Sequence, residues 1–255
     1  VNLTKLIDQH KKAGAIISMG LKSVPIEEVV HLGVVVTDQN GKITEFQEKP
    51  PIEEAKSTMV NTGIYIFEAE LFNYIPADTF YDFAKQVFPA VMKDNKGIYG
   101  FEIEGYWNDI GTFLQYRITS QDVLAGKTTI DIPGQKSSNK IEGSNNRIAN
   151  NVKFEGMSLI GDNCTIEEDT ILKDNASIGN NCIIGKKVTL DGCVIWDNVR
   201  IGDNSTLNNC LIGNNVNISQ NVTINTDAVI ADNCIIKEGA NIEAETKIKQ
   251  NEIFA

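Results

Sequence analysis

From Arg147 onward the chain places a large apolar residue at every sixth position. These are Ile148, Phe154, Ile160, Ile166, Leu172, Ile178, Ile184 and Leu190, then Ile195, Ile201, Leu207, Ile212, Ile218, Ile224, Ile230, Ile236, Ile242 and Ile248. Two steps are five residues long, Leu190 to Ile195 and Leu207 to Ile212. A helix repeats about every 3.6 residues and a strand every two, so neither explains the spacing; a hexapeptide β-helix does. Each hexapeptide supplies a short strand with its aliphatic side chain inward, and then a corner. Four positions after most of the aliphatic residues comes a small one (Val152, Ser158, Cys164, Thr170, Ala176, Cys182), which fits the tight corner. The Asn, Asp and Gly between them tolerate left-handed backbone that other residues adopt poorly. Three hexapeptides close one triangular coil, so the 18 positions predict about six coils. The five-residue steps lie about one coil apart and read as one shortened corner repeated in adjacent coils.

All five cysteines (Cys164, Cys182, Cys193, Cys210, Cys234) fall on the small corner position. They read as small buried hydrophobes rather than as metal ligands or disulfide partners. The net charge of −11 and the lack of a basic patch argue against a nucleic-acid partner. No apolar run reaches membrane length and the opening residues do not read as a signal peptide, so no membrane association is expected and a cytoplasmic location is. Val1 stands where a Met would begin a natural chain, which leads to the expectation that a segment precedes it.

The first 125 residues read differently. A short helix is predicted over Asn2–Ala13 and strands over Ala15–Met19, Gly33–Thr37, Lys42–Phe46, Val60–Phe67 and Gly97–Glu104. Asn40-Gly41 marks a hairpin between the second and third of these strands. Helices are predicted near Glu68–Tyr74, Tyr81–Met92 and Thr112–Leu124. This is an α/β layer with mixed strand directions. Residues 126–146 are polar and turn-rich. The expected organisation is an α/β domain over 1–125, a linker over 126–146 and a β-helix over 147–255.

Three phrases in the first part carry chemistry. Phe46-Gln47-Glu48-Lys49-Pro50 sets a carboxylate beside an ammonium at a strand end, held by Pro50-Pro51. Asn61-Thr62-Gly63-Ile64-Tyr65 opens a strand with a glycine that lets a ligand approach. Gly105-Tyr106-Trp107-Asn108-Asp109-Ile110-Gly111-Thr112 places an acid in a tight turn before a helix. Singly, each has an ordinary alternative: a surface ion pair, a bulge, a helix N-cap.

In this order, ahead of hexapeptide repeats, the three phrases resemble the sugar-1-phosphate nucleotidyltransferases with a C-terminal left-handed β-helix. The resemblance covers the whole chain and implies a partial Rossmann-like nucleotidyltransferase domain with a mixed sheet. In that family a sugar-phosphate oxygen attacks the α-phosphorus of a nucleoside triphosphate and pyrophosphate leaves, with Mg²⁺ as clamp. The resemblance assigns Lys49 to the sugar phosphate, Glu48 to sugar hydroxyls, and Gly33 to backbone lying against the sugar. Thr62 and Gly63 would line the sugar pocket, and Asp109 would be a metal-binding and catalytic acid. The family's opening Gly-rich stretch and first metal-binding Asp are not in the sequence. The expectation is therefore a fragment without transfer activity of its own, whose complete enzyme uses Mg²⁺, a sugar 1-phosphate and a nucleoside triphosphate. Mannose 1-phosphate with GTP is the favoured substrate pair; glucose-1-phosphate adenylyl- or thymidylyltransferases and a non-catalytic regulatory relative are the alternatives. A hexapeptide acyltransferase comes last, because residues 147–255 contain no histidine to serve as base. A homo-oligomer is expected.

Overall fold

Three aliphatic columns hold the C-terminal part together. The computed structural model describes residues 1–94 and 96–255, which divide into two compact units, Val1–Trp107 and Asn108–Ala255. In the second unit the period of six becomes three parallel sheets. Their inward columns are Ile160-Ile178-Ile195-Ile212-Ile230-Ile248, Ile148-Ile166-Ile184-Ile201-Ile218-Ile236 and Phe154-Leu172-Leu190-Leu207-Ile224-Ile242. The coils stack in register, Leu172 on Leu190 and Leu190 on Leu207. From Ile160 inward the columns are almost fully buried. Regular pairing starts at Lys140–Glu142, which lies parallel to Ser158–Ile160.

The corners behave as their composition implies. Asn145, Asn163, Asn181, Asn198, Asn215, Asn233 and Asn251 all take left-handed backbone, one per coil. Asparagine is among the side chains that tolerate this region, and here it also bonds vertically. Asn181 Nδ2 donates to Asn198 Oδ1 at 3.2 Å, and Asn233 Nδ2 to Asn251 Oδ1 at 3.1 Å. The five cysteines are free and buried. Cys164, Cys182, Cys193 and Cys234 direct their thiols at a backbone carbonyl of the next coil, 3.0–3.2 Å away.

In the first unit, helix α1 (Leu3–Ala13) is capped by Asn2, whose side chain accepts from Lys5 N, and ends at left-handed Gly14. A five-stranded sheet follows: β1 (Ile17–Ser23), β2 (Gly33–Thr37), β3 (Ile43–Glu48), β4 (Met59–Phe67) and β5 (Ile98–Glu102), in the order β3-β2-β4-β1-β5. Only β1–β5 is parallel, so the sheet is mixed. Ile17, Met19 and Leu21 of β1 sit in its core with Val35, Leu71, Phe88 and Val91.

Some elements depart from the sequence reading for local reasons. β1 runs on to Ser23, through Gly20 and Lys22, which interrupt its apolar run. The helix expected over Tyr81–Met92 forms in two pieces, a π turn at Phe83–Val87 and α2 at Phe88–Lys93. Pro89 has no N–H for a residue four earlier, so regular α-helix cannot run through it. A 3₁₀ turn at Ile26–His31, after Pro25, was not foreseen.

Two predictions follow from the coils. Ile184 is fully buried in its column; Ile184→Asp should cost more than about 4 kcal/mol by burying an unpaired charge. Chemical denaturation measures this, and a loss below about 1 kcal/mol would remove the column from the core. The second concerns Asp191, which stacks between Lys173 and Asn208. Its Oδ1 is buried with no hydrogen-bond partner. Burial, and then the Asp174 carboxylate of the preceding coil, push the Asp191 carboxyl up. An acid raised in the folded state disfavours folding once it must ionise. Stability is therefore lost as pH climbs from the unfolded value of 3.8 through the raised one. Asp191→Asn should raise the melting temperature at neutral pH, and the gain should vanish near about pH 3, where both states are protonated. An equal gain at both pH values would separate the effect from ionisation.

Candidate sugar-phosphate site

Antiparallel pairing of β2 with β3 sets Gly33 directly opposite Glu48. The pairing needs a residue without a side chain there. A Cβ on Gly33 would lie 2.8 Å from Phe46 Cζ and 3.4 Å from Glu48 Oε2. Immediately after Glu48 the chain turns: Lys49 has φ 50° and its N–H donates to Leu32 O at 3.1 Å. A lysine in left-handed backbone is uncommon and is held here by that bond and by buried Pro50. The turn presents the exposed Glu48 and Lys49 side by side at one end of the β2–β3 ladder.

The next strand passes the same end. Val34 pairs with Val60, so Asn61-Thr62-Gly63 continues beyond the start of β2. There β4 bulges: Met19 pairs with Tyr65 but Leu21 with Asn61, leaving Thr62, Gly63 and Ile64 opposite the single residue Gly20. Gly63 takes φ 75° and has open space on its side-chain face. Thr62 Oγ1 donates to Gly20 O at 2.8 Å, and Trp107 Nε1 donates to Thr62 O at 3.3 Å. Asn61 serves both sides of the bulge, donating to Tyr65 Oη at 2.6 Å and accepting from Gly63 N at 3.0 Å. Burial pushes the Tyr65 phenol up, and the nearby negative charge of Glu48 adds to it against the Asn61 hydrogen bond.

The structure thus brings Gly33, Glu48 and Lys49 together and sets Thr62 and Gly63 on the adjoining strand. Sequence reasoning did not single out Gly20, and it named Asn61 and Tyr65 within a phrase without giving them roles. The signal for Gly20 was a lone glycine inside an apolar strand, which marks a bulge or close backbone approach. Asp109 belongs to the second unit, exposed, three residues before the Thr112 N-cap of helix α3 (Phe113–Leu124). Among the described residues no three His, Cys, Asp or Glu side chains gather as a metal ion would need. Asp109, the acid that the sequence reading set aside for a metal, belongs to no such group among the described residues. His10 bonds Ser18 Oγ at 2.8 Å and Glu68 Oε1 at 3.2 Å. Ser18 is wholly buried, so this is a satisfied core histidine rather than a nucleophile and its base.

Comparison with known proteins finds matches along both parts of the chain. A nucleotidyl transferase family model matches residues 1–126, and a model described as the EIF2B subunit epsilon LbH domain matches residues 137–242. The chain belongs to the sugar-1-phosphate nucleotidyltransferases. The C-terminal coils are accordingly a left-handed β-helix, and the family's substrates are a sugar 1-phosphate and a nucleoside triphosphate. The UTP–glucose-1-phosphate uridylyltransferase of Synechocystis sp. is 38% identical over 199 residues, covering 77% of this chain and 51% of that protein. A glucose-1-phosphate adenylyltransferase of Thermotoga neapolitana is 36% identical over 123 residues, 46% of this chain and 29% of the relative. That of Clostridioides difficile is 29% identical over 196 residues, 73% and 49% of the two chains. The chain spans about half the length of the curated relatives it matches along most of its own length. These relatives are named for glucose 1-phosphate, whereas the sequence alone favoured mannose 1-phosphate. No helix among the described residues is long and apolar enough to cross a membrane.

Proposed function

We propose that this chain carries the sugar-phosphate-binding part of an enzyme that joins glucose 1-phosphate to a nucleoside triphosphate, forming a nucleoside-diphosphate glucose. The sugar-phosphate oxygen forms a bond to the α-phosphorus, the bond to the β-phosphate oxygen breaks, and pyrophosphate leaves. The observation that carries the reading is the Gly33–Glu48–Lys49 corner beside the Thr62–Gly63 bulge. A compact, flexible ammonium suits a phosphate as a point charge, which is the task of Lys49. Glu48 accepts from sugar hydroxyls, while Gly33 and Gly63 leave backbone open to the ring. Such a protein accelerates the reaction mainly by positioning reactants and neutralising charge. Mg²⁺ in the complete enzyme would supply charge neutralisation, with Asp109 as one of its carboxylates. The names of the relatives favour UTP or ATP as co-substrate over GTP. Free, buried cysteines fit a reducing compartment such as the cytoplasm, and a homo-oligomer belongs to the same reading. A non-catalytic relative is the second reading, favoured by the single carboxylate.

Calorimetric titration tests the assignment. Glucose 1-phosphate should bind the chain more tightly than mannose 1-phosphate, and Lys49→Ala should weaken it at least about tenfold, about 1.4 kcal/mol. Unchanged binding in Lys49→Ala would remove the phosphate role, and equal affinities would remove the sugar assignment. With one carboxylate, the 255-residue chain should release no pyrophosphate from glucose 1-phosphate with UTP or ATP. Robust release would show that the chain transfers by itself and is more than the sugar-phosphate-binding part.

A further inference from the structure

Helix α3 holds an arginine where a helix rarely keeps one. Arg117 is only 7% exposed. A guanidinium so buried is tolerated only when its donors are met. It donates to Asp227 Oδ1 at 2.7 Å, to Asn209 Oδ1 at 2.8 Å and to Gln121 Oε1 at 3.2 Å. One turn on, Gln121 Nε2 donates to Gly192 O and Asn209 Oδ1, both at 3.0 Å. Gly192, Asn209 and Asp227 are left-handed corner residues of three successive coils, with φ 60°, 43° and 63°. The first two lie inside the five-residue steps. At Gly192 a side chain is excluded, since a Cβ would run into the Gln121 amide. The shortened corner is therefore the seat of helix α3.

The same helix holds the segment that carries Asp109. Asn108 Nδ2 donates to Thr119 Oγ1 at 2.8 Å, and Gln115 N donates to Thr112 Oγ1 at 3.1 Å. Asp109, Ile110 and Gly111 are thus a short span hooked at both ends to one helix. Helix α3 has 12 residues. A helix of that length is marginal in water and depends on its docking. Without the docking, the partners of both hooks are lost with the helix.

We propose that Arg117 is a positioning residue for Asp109: its bonds to Asn209 and Asp227 keep helix α3 formed, and the helix keeps residues 108–112 in one conformation. The catalytic relevance rests on the reading of Asp109 given above; the positioning itself does not.

Backbone ¹⁵N relaxation of the full chain tests it, with hydrogen–deuterium exchange as the control on the helix and the coils. In Arg117→Ala, order parameters over 108–112 should fall from about 0.85 to below about 0.6, and helix amides 116–124 should exchange at least about tenfold faster, while column amides such as Ile178 and Ile218 stay protected and report an intact coil stack. Arg117→Lys, whose ammonium can still meet a corner oxygen, should recover part of the order. Asn108→Ala, which leaves the buried arginine untouched, should lower the order parameters of 108–112 alone. Unchanged order at 108–112 in both Arg117→Ala and Asn108→Ala would overturn the proposal. So would faster exchange of 116–124 in Arg117→Ala with 108–112 still ordered, because that is the mark of a purely structural arginine. Should Arg117→Ala lose column protection as well, Arg117→Lys and Asn108→Ala decide the matter. Failure of Lys49-dependent glucose 1-phosphate binding would instead sink the functional reading and leave the relaxation result standing.

Discussion

The second unit depends on one constraint: each inward aliphatic side chain must lie over its equivalent one coil away, at the spacing of a parallel ladder. Leu172, Leu190 and Leu207 meet this in succession, and so do Ile166, Ile184 and Ile201. Because the columns come from all three sheets, no coil can shift register without moving side chains on every face. The corner chemistry follows. A chain that turns at the same height in every coil needs left-handed backbone at the same place, and asparagine supplies it while adding a vertical hydrogen bond. The buried thiols occupy positions where a larger side chain would separate the coils.

The first unit obeys a different constraint. Its sheet is built so that backbone, not side chains, lies open at one end. Gly33 pairs regularly with Glu48 but carries no side chain, while the left-handed turn at Lys49 and the three-against-one bulge at Gly20 depart from regular pairing. Glycine at 33 and 63 is required for different reasons, crowding by Phe46 in one case and a positive φ in the other. An ammonium and a carboxylate presented beside exposed backbone suit a ligand with one anionic end and several hydroxyls.

How much of this could be read beforehand depended on whether the cause was local. The coils were legible because a period of six has one structural meaning and recurs 18 times. The β2–β3 hairpin was legible from Asn40-Gly41, and α1 and α3 lie within the ranges expected for them. Glu48, Lys49, Thr62 and Gly63 were visible as phrases, but not the pairing of Gly33 with Glu48 or the bulge opposite Gly20. Those are register facts, set by β4 crossing between β2 and β1. The π turn before Pro89 and the 3₁₀ turn after Pro25 were missed because proline announces a break without saying what replaces the helix. Arg117 was invisible for the strongest reason: Gln121 is its partner within the helix, but the two that account for its burial lie about 92 and 110 residues away.

The two five-residue steps show how a repetitive fold acquires a unique address. With six-residue steps throughout, the three corner columns would be alike, and each could satisfy itself by stacking asparagines. One column does so, with Asn181 bonded to Asn198. In the column with the shortened steps the same chemistry faces outward. Asn209 Oδ1 accepts from Arg117 and Gln121 instead of from an asparagine in the neighbouring coil, and Gly192 provides no side chain at all. Deleting one residue at the same corner of two adjacent coils preserves the inward columns, since Leu190 still stacks on Leu207 and Ile195 on Ile212. Register in the core and recognition at the corner are thus controlled by different residues. That separation lets the coil stack hold one particular helix at one particular height without disturbing its own packing.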